Sequence, residues 1–243
     1  VDRIVTDVSG ILESAQLIDQ QSKNLNENIE TFSQGFKATS QNLQTSERQL
    51  LELRNASESL MRITARSGVE TADGRFRREA VRIAQEASLS LSQSVESGEL
   101  DLDDLFREDY SLVPGTTPEQ YTTSYNGVFD RLLQSLFDSA LEFDPKIAFS
   151  AAVDHNGYLP THNSKFSNPQ TDDPVWNNAN SRNRRFFKDH VSLAAGNSTA
   201  PFLCQCYERD MGGGQYAPMV DVSAPIYVCG RHWGGLRLGY SLS

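Results

Sequence analysis

The stretch "FLCQCYERDMGGGQYAPMVDVSAPIYVCGRHWGGLRLGYSL", Phe202 to Leu242, decides the fold. Its runs "FLCQCYER" and "MVDVSAPIYV" lie on either side of "DMGGG", and "GGLRLGYSL" follows "GRHW". Alternating or β-branched runs separated by glycine-bearing turns read as antiparallel strands joined by hairpins. Gly212 to Gly214 supply the positive φ that such a turn needs. They are not a phosphate loop, because the helix, Lys and Ser/Thr that would complete one do not follow.

All three cysteines, Cys204, Cys206 and Cys229, fall in this stretch. Cys204 and Cys206 are two apart on a predicted strand, so both leave the same face. Cys229 ends the next strand, and a hairpin folding at "DMGGG" brings it opposite or diagonal to the other two. With His232 three residues beyond Cys229, the set offers soft thiolates and an imidazole suited to zinc or an iron–sulfur cluster. The spacing matches no standard ferredoxin or zinc-ribbon pattern, and cysteines that simply fill the sheet face are the alternative.

Upstream, "KIAFSAAVD" and "HNGYLPTHN" read as a strand, an Asn-Gly turn and a short strand. Between the two sheet portions, residues 163–201 hold "SRNRRFFKDHVSLAAGN", which reads as a short helix and loops covering one face. Arg182, Arg184 and Arg185 in this segment suit bidentate clamping of a carboxylate ligand. Ion pairing with surface carboxylates is the alternative for them. In "VPGTTPEQY", Thr117, Pro118 and Gln120 form the pattern of an N-cap, a first helical proline and a capping-box partner. Val128, Leu132, Leu133, Leu136, Phe137 and Leu141 continue that helix to Pro145. Phe76, Ala80, Ile83, Ala87, Leu91 and Val95 mark another amphipathic helix, ending near Gly98. An antiparallel sheet with helices before and across it is an α+β arrangement.

The first third differs. From Ile4 to Leu60, spacings of four and three alternate without a break over seventeen positions, thirteen of them apolar. That is the seam of a coiled coil sustained for about eight heptads. A helix of this length cannot bury its seam on a small domain, so a homodimer is expected. Ser22, Thr39, Ser46 and Ser57 interrupt the seam, which suits either a coil that loosens during signalling or a static rod. The glycine-bearing "SGVETADGRF", Ser67 to Phe76, reads as the break. The expected domains are thus a coiled-coil helix at 1–70 and an α+β domain at 76–243.

A net charge of −10 argues against nucleic acid as a partner, since phosphate contacts need clustered cations. The four histidines are dispersed, without the helical spacing of a zinc protease. No strand–GxSxG–helix element marks a nucleophilic hydrolase. The expectation is a protein that is not an enzyme. No apolar run approaches the roughly 18–20 residues that cross a bilayer, and Val1 onward shows no signal-peptide pattern. The odd cysteine count favours a reducing compartment. A cytoplasmic location is expected, with attachment to a membrane through segments outside this sequence left open.

Four strings together, "FDPKIAFSAAVDHNGYLPTHN", "SRNRRFF", "YERDMGGGQY" and "DVSAPIYVCGRHWGGLRLGY", resemble the PAS-like Cache sensor module of bacterial methyl-accepting chemotaxis proteins. The resemblance covers about residues 76–242. It implies a five-stranded antiparallel sheet and non-enzymatic signal input. A ligand or redox cofactor held between sheet and covering loops would alter the packing of a coiled coil that, with an adaptor, controls a histidine kinase. It also implies a ligand pocket lined by Tyr158, Arg184, Arg185 and Tyr207, for a carboxylate or amino acid. The family pattern carries Leu, Thr and Arg where this sequence has Cys204, Cys206 and Cys229. That departure favours a shared metal or cluster site at these cysteines. A structural coiled-coil adaptor is the reading from a different class.

Overall fold

The computed structural model describes residues 2–66, 74–212 and 214–241. The chain divides into two compact units, Val1–Ser57 and Glu58–Ser243. The predicted break at Ser67 to Phe76 lies, but for its last three residues, outside the described part.

Helix α1, Asp2–Arg66, runs for 65 residues. At 1.5 Å per residue it is about 100 Å long. The seam side chains described from Ile18 to Leu53 are open to solvent, with Phe32 76% and Phe36 71% exposed. Among the described residues no helix is long and apolar enough to cross a membrane.

The second unit is built on one sheet. Strands β3 (Ile147–Asp154), β6 (Leu203–Gly212), β7 (Gln215–Val228) and β8 (Arg231–Ser241) pair in the order β3-β8-β7-β6, antiparallel throughout. Helices α2 (Gly74–Glu96) and α4 (Asn126–Phe143) cover one face. The short helices α5 (Pro174–Asn180) and α6 (His190–Asn197) lie over the other. Two small ladders complete the unit: β1 (Ser111–Val113) with β2 (Gln120–Thr122), and β4 (Tyr158–Leu159) with β5 (Arg185–Phe186). Helix α3 (Leu102–Phe106) is capped by Asp101.

Strand alternation sorts the side chains between two faces. Val220, Val222, Ala224 and Ile226 of β7 and Leu236, Leu238 and Tyr240 of β8 meet Phe76, Ile83 and Leu91 of α2 and Phe129, Leu133 and Phe137 of α4 in one apolar core. Each buried Leu, Ile or Phe there is worth about 1.5–3 kcal/mol over exposure. Residues of the other parity, among them Tyr207 and Arg209 of β6, Asp221 of β7 and Arg237 of β8, take the opposite face.

Glycines let α6 lie directly on that second face. A Cβ on Gly235 would sit 2.2 Å from the Ala195 carbonyl oxygen, and one on Gly196 would sit 2.1 Å from that of Asp154. No side-chain layer fits between helix and sheet at these points. On the first face, α2 is joined to β7 by polar contacts at the strand's end. Ser88 Oγ accepts from the Tyr227 amide and Ser92 Oγ from the Cys229 amide, each at 3.0 Å. Beyond Ser223, β7 has outrun β6, whose pairing begins at Leu203, and the two serines take up strand amides there.

Two expectations need correction. The sheet has four strands, not five. The "GYLPTHN" strand stops after Leu159, because Pro160 has no N–H for the ladder, and β4 pairs with β5. Its continuation meets β3 at a single bridge, Ala151 to His162. Thr117 does not start a helix either: Gln120 pairs with Val113 in the β1–β2 ladder, and α4 begins at Asn126.

Candidate functional site

On the face covered by α5 and α6, a cavity of about 370 Å³ opens between sheet and loops. This is the small end of the roughly 300–1,000 Å³ range of ligand pockets. Its wall carries Arg209 and Tyr207 from β6, Arg237 from β8, His162 from the chain after β4, Arg182 from the α5–β5 connection and Arg185 from β5.

The guanidinium groups are held by aromatic rings. Arg209 lies 4.8 Å from the centroids of both Phe149 and Phe166. Arg182 and Arg185 lie 5.0 and 5.2 Å from the Phe187 centroid. Rings beside a planar guanidinium stabilise its charge and leave its N–H edge for a planar acceptor. Phe149 itself has space because Gly239 faces it: a Cβ there would lie 2.0 Å from the ring.

The charges are unevenly matched. Arg237, buried, donates to Asp221 Oδ2 at 2.9 Å from Nε and 2.8 Å from Nη2. It also donates to Ser192 Oγ, which in turn donates to Asp189 Oδ2 at 2.6 Å. Asp189 caps α6 by accepting from the Ser192 amide. Arg209, only 5% exposed, has no carboxylate within ion-pair distance among the described residues. Neither has Arg182, whose Nη1 donates to the Asn178 carbonyl at 2.9 Å. Burial and the neighbouring Arg209 charge pull Arg182 down to about 9, still protonated at neutral pH. Burial lowers Arg209 as well, with Arg237 adding to it.

His162, 2% exposed, is held well below the ordinary value of 6.5 by burial and then by the surrounding cations, Arg182 foremost. It is therefore neutral at pH 7. Its Nδ1 accepts from the Asn163 amide at 2.8 Å, so the proton sits on Nε2 and makes that atom a donor. Burial pushes Tyr207 up to about 12, which keeps it a phenol. The lining carries four arginines against two carboxylates, Asp189 and Glu208, an excess of positive charge that suits an anion.

Of the pocket residues expected from the sequence, Arg185 and Tyr207 line this cavity, and Tyr158 and Arg184 do not. Tyr158 is buried in the α2/α4 core, donating to the Tyr121 carbonyl at 2.9 Å. Arg184 is ion-paired to Asp130 at 2.8 Å, so the ion-pairing alternative describes this member of the arginine cluster. Arg209, Arg237 and His162 were missed. Their signal was strand parity: Arg237 stands alone between Leu236 and Leu238 in "GLRLG", and Arg209 shares parity with Tyr207.

The cysteines do not form one site. Cys204 faces Val222 and Cys206 faces Val220 across the hairpin. Cys229 lies seven residues beyond Val222, about 23 Å along the strand. The hairpin folds where expected, but β7 runs past the end of β6, so the third thiol passes the other two. Cys204 packs against the α2/α4 core, on the face opposite the cavity. Cys229 sits at the β7–β8 turn with φ of 49°, followed by Gly230 at 79°. His232 is beside His155, ring centroids 4.8 Å apart, and burial lowers its pKa. Among the described residues no group of three or more His, Cys, Asp or Glu is arranged to hold a metal ion. The expected zinc or iron–sulfur centre at Cys204, Cys206, Cys229 and His232 thus lacks the convergence it needs.

No family model matches the chain, and no curated protein matches it. One solved structure that is similar is the domain of a sensory box/GGDEF family protein from Vibrio parahaemolyticus. The likeness has a TM-score of 0.34 at 12% identity, over 70% of this chain and 62% of that one.

Proposed function

We propose that the chain is a signal-input module of the chemoreceptor kind, whose α+β unit binds a small carboxylate and whose long helix pairs with that of a second copy. The carrying observation is Arg209, a guanidinium buried between two phenyl rings at the cavity, with no carboxylate partner among the described residues. A buried charge is costly unless something of opposite sign meets it, and a ligand carboxylate supplies that partner. The motif resemblance to Cache modules supports the same reading. The exposed seam of α1 supports the dimer, since a sustained apolar stripe is stable only when covered.

The test is a thermal-shift and calorimetric screen of small carboxylates on the full chain at constant ionic strength. A ligand at one hundred times its dissociation constant stabilises by about 2.7 kcal/mol, an upward shift readily measured. Arg209→Gln should abolish the shift. Failure of every small carboxylate to move the transition would overturn the reading.

A further inference from the structure

The cavity holds cationic groups from two separate parts of the chain. Resting on the carboxylate reading above, we infer that the ligand is a dianion, a small dicarboxylate, and not a monocarboxylate or a zwitterionic amino acid. One cationic group is Arg209 on β6, fixed by Phe149 and Phe166. The other is Arg182, fixed by Phe187 with Arg185 against the same ring. A single carboxylate meeting one of them leaves the other desolvated and opposed by its neighbour. Two carboxylates on one short skeleton meet both, each through the planar two-bond geometry that guanidinium and carboxylate share.

The acceptors that an ammonium group would need are engaged elsewhere. Asp221 is not part of the cavity wall, and its Oδ2 is bound to Arg237. Both oxygens of Asp189 accept from Ser192. Glu208 lines the cavity only at its exposed rim, where its carboxylate is solvated and its strand parity is opposite to that of Tyr207 and Arg209. His162 presents a donor at Nε2, so an ammonium would meet donors and like charge. Rejection of the zwitterion follows from that repulsion as much as from attraction for the dianion. His162 also offers a neutral donor from the cavity wall without adding to its positive charge.

The experiment compares, by titration calorimetry on the full chain, malonate, succinate and glutarate with acetate and butyrate, with alanine and aspartate, and with sulfate. At least one dicarboxylate should bind about tenfold or more tighter than the monocarboxylates and amino acids, the discrimination expected of one additional charged pair. Arg182→Gln should erase that advantage while monocarboxylate binding persists, since Arg209 remains. Arg182 lines the cavity and belongs to neither apolar core, so this variant probes the cavity without emptying the core. A monocarboxylate or amino acid binding as tightly as every dicarboxylate would overturn the dianion inference and leave the carboxylate reading standing. Sulfate binding with no carboxylate binding would overturn both.

Discussion

Asp221 is fully buried and is the ion-pair partner of an equally buried arginine, Arg237. Its Oδ2 takes both guanidinium bonds, while Oδ1 has no hydrogen-bond partner. Asp221→Asn keeps the shape but strips the counter-charge, and an unmatched buried guanidinium costs about 3–5 kcal/mol. Urea denaturation should show a loss of that size, with Arg237→Met in the same background recovering part of it. His162 makes a pH prediction. Its folded-state pKa lies below its ordinary 6.5, so as pH falls through about 6.5 the unfolded chain takes up a proton that the folded chain refuses. Stability is therefore present above that pH and is lost below it, down to the folded value. His232 is lowered too and contributes in the same direction, whereas Asp154 and Asp221, raised by burial above 3.8, act in the opposite sense at lower pH. Melting followed from pH 8 to 5 should fall, with a shallower slope in His162→Gln.

At the scale of elements, the heptad seam predicts its own disruption. Phe36→Asp places a charge at an exposed seam position and should shift the protein from dimer to monomer in analytical ultracentrifugation, leaving the melting of the α+β unit in place. A dimer unmoved by this change would mean that association uses another surface. Much of the element pattern was legible from local rules. The apolar spacing of α2 and the alternation of β7 and β8 carry their own burial, and glycines mark the β6–β7 and β7–β8 turns. The helix start at Thr117 was misread because a capping pattern is local, while Gln120 is held by pairing with Val113 and by Thr116 Oγ1 accepting from its amide. The fifth strand was misread because an Asn-Gly turn predicts a hairpin but not the proline that ends it two residues into β4.

At the scale of the whole molecule, what the sequence could not place was distance between hairpin positions. Cys204, Cys206 and Cys229 are close in the chain, yet the relative length of β6 and β7 keeps them apart, and length is set by pairing rather than composition. The cavity instead draws on β3, β6, β8, the chain after β4 and the α5–β5 connection, which only the fold brings together. The triple variant Cys204→Ser, Cys206→Ser, Cys229→Ser should therefore leave carboxylate affinity within about twofold of the parent, a difference under about 0.5 kcal/mol. Loss of binding in a variant that still melts cooperatively would return the cysteines to the functional site.

The serine pair on α2 has a mechanical meaning. Ser88 and Ser92 are one helical turn apart, about 6 Å, and the Tyr227 and Cys229 amides they receive are two strand residues apart, about 6.8 Å. Helix and strand mesh there like two teeth in a rack. A slide of α2 by one residue, about 1.5 Å, carries both serines out of register together, and a full turn would restore only one of them, since Ala84 and Glu96 flank the pair at that spacing. Displacing this helix along the sheet therefore requires two strand amides to lose their acceptors in one event, so the pair fixes the register of α2 on β7.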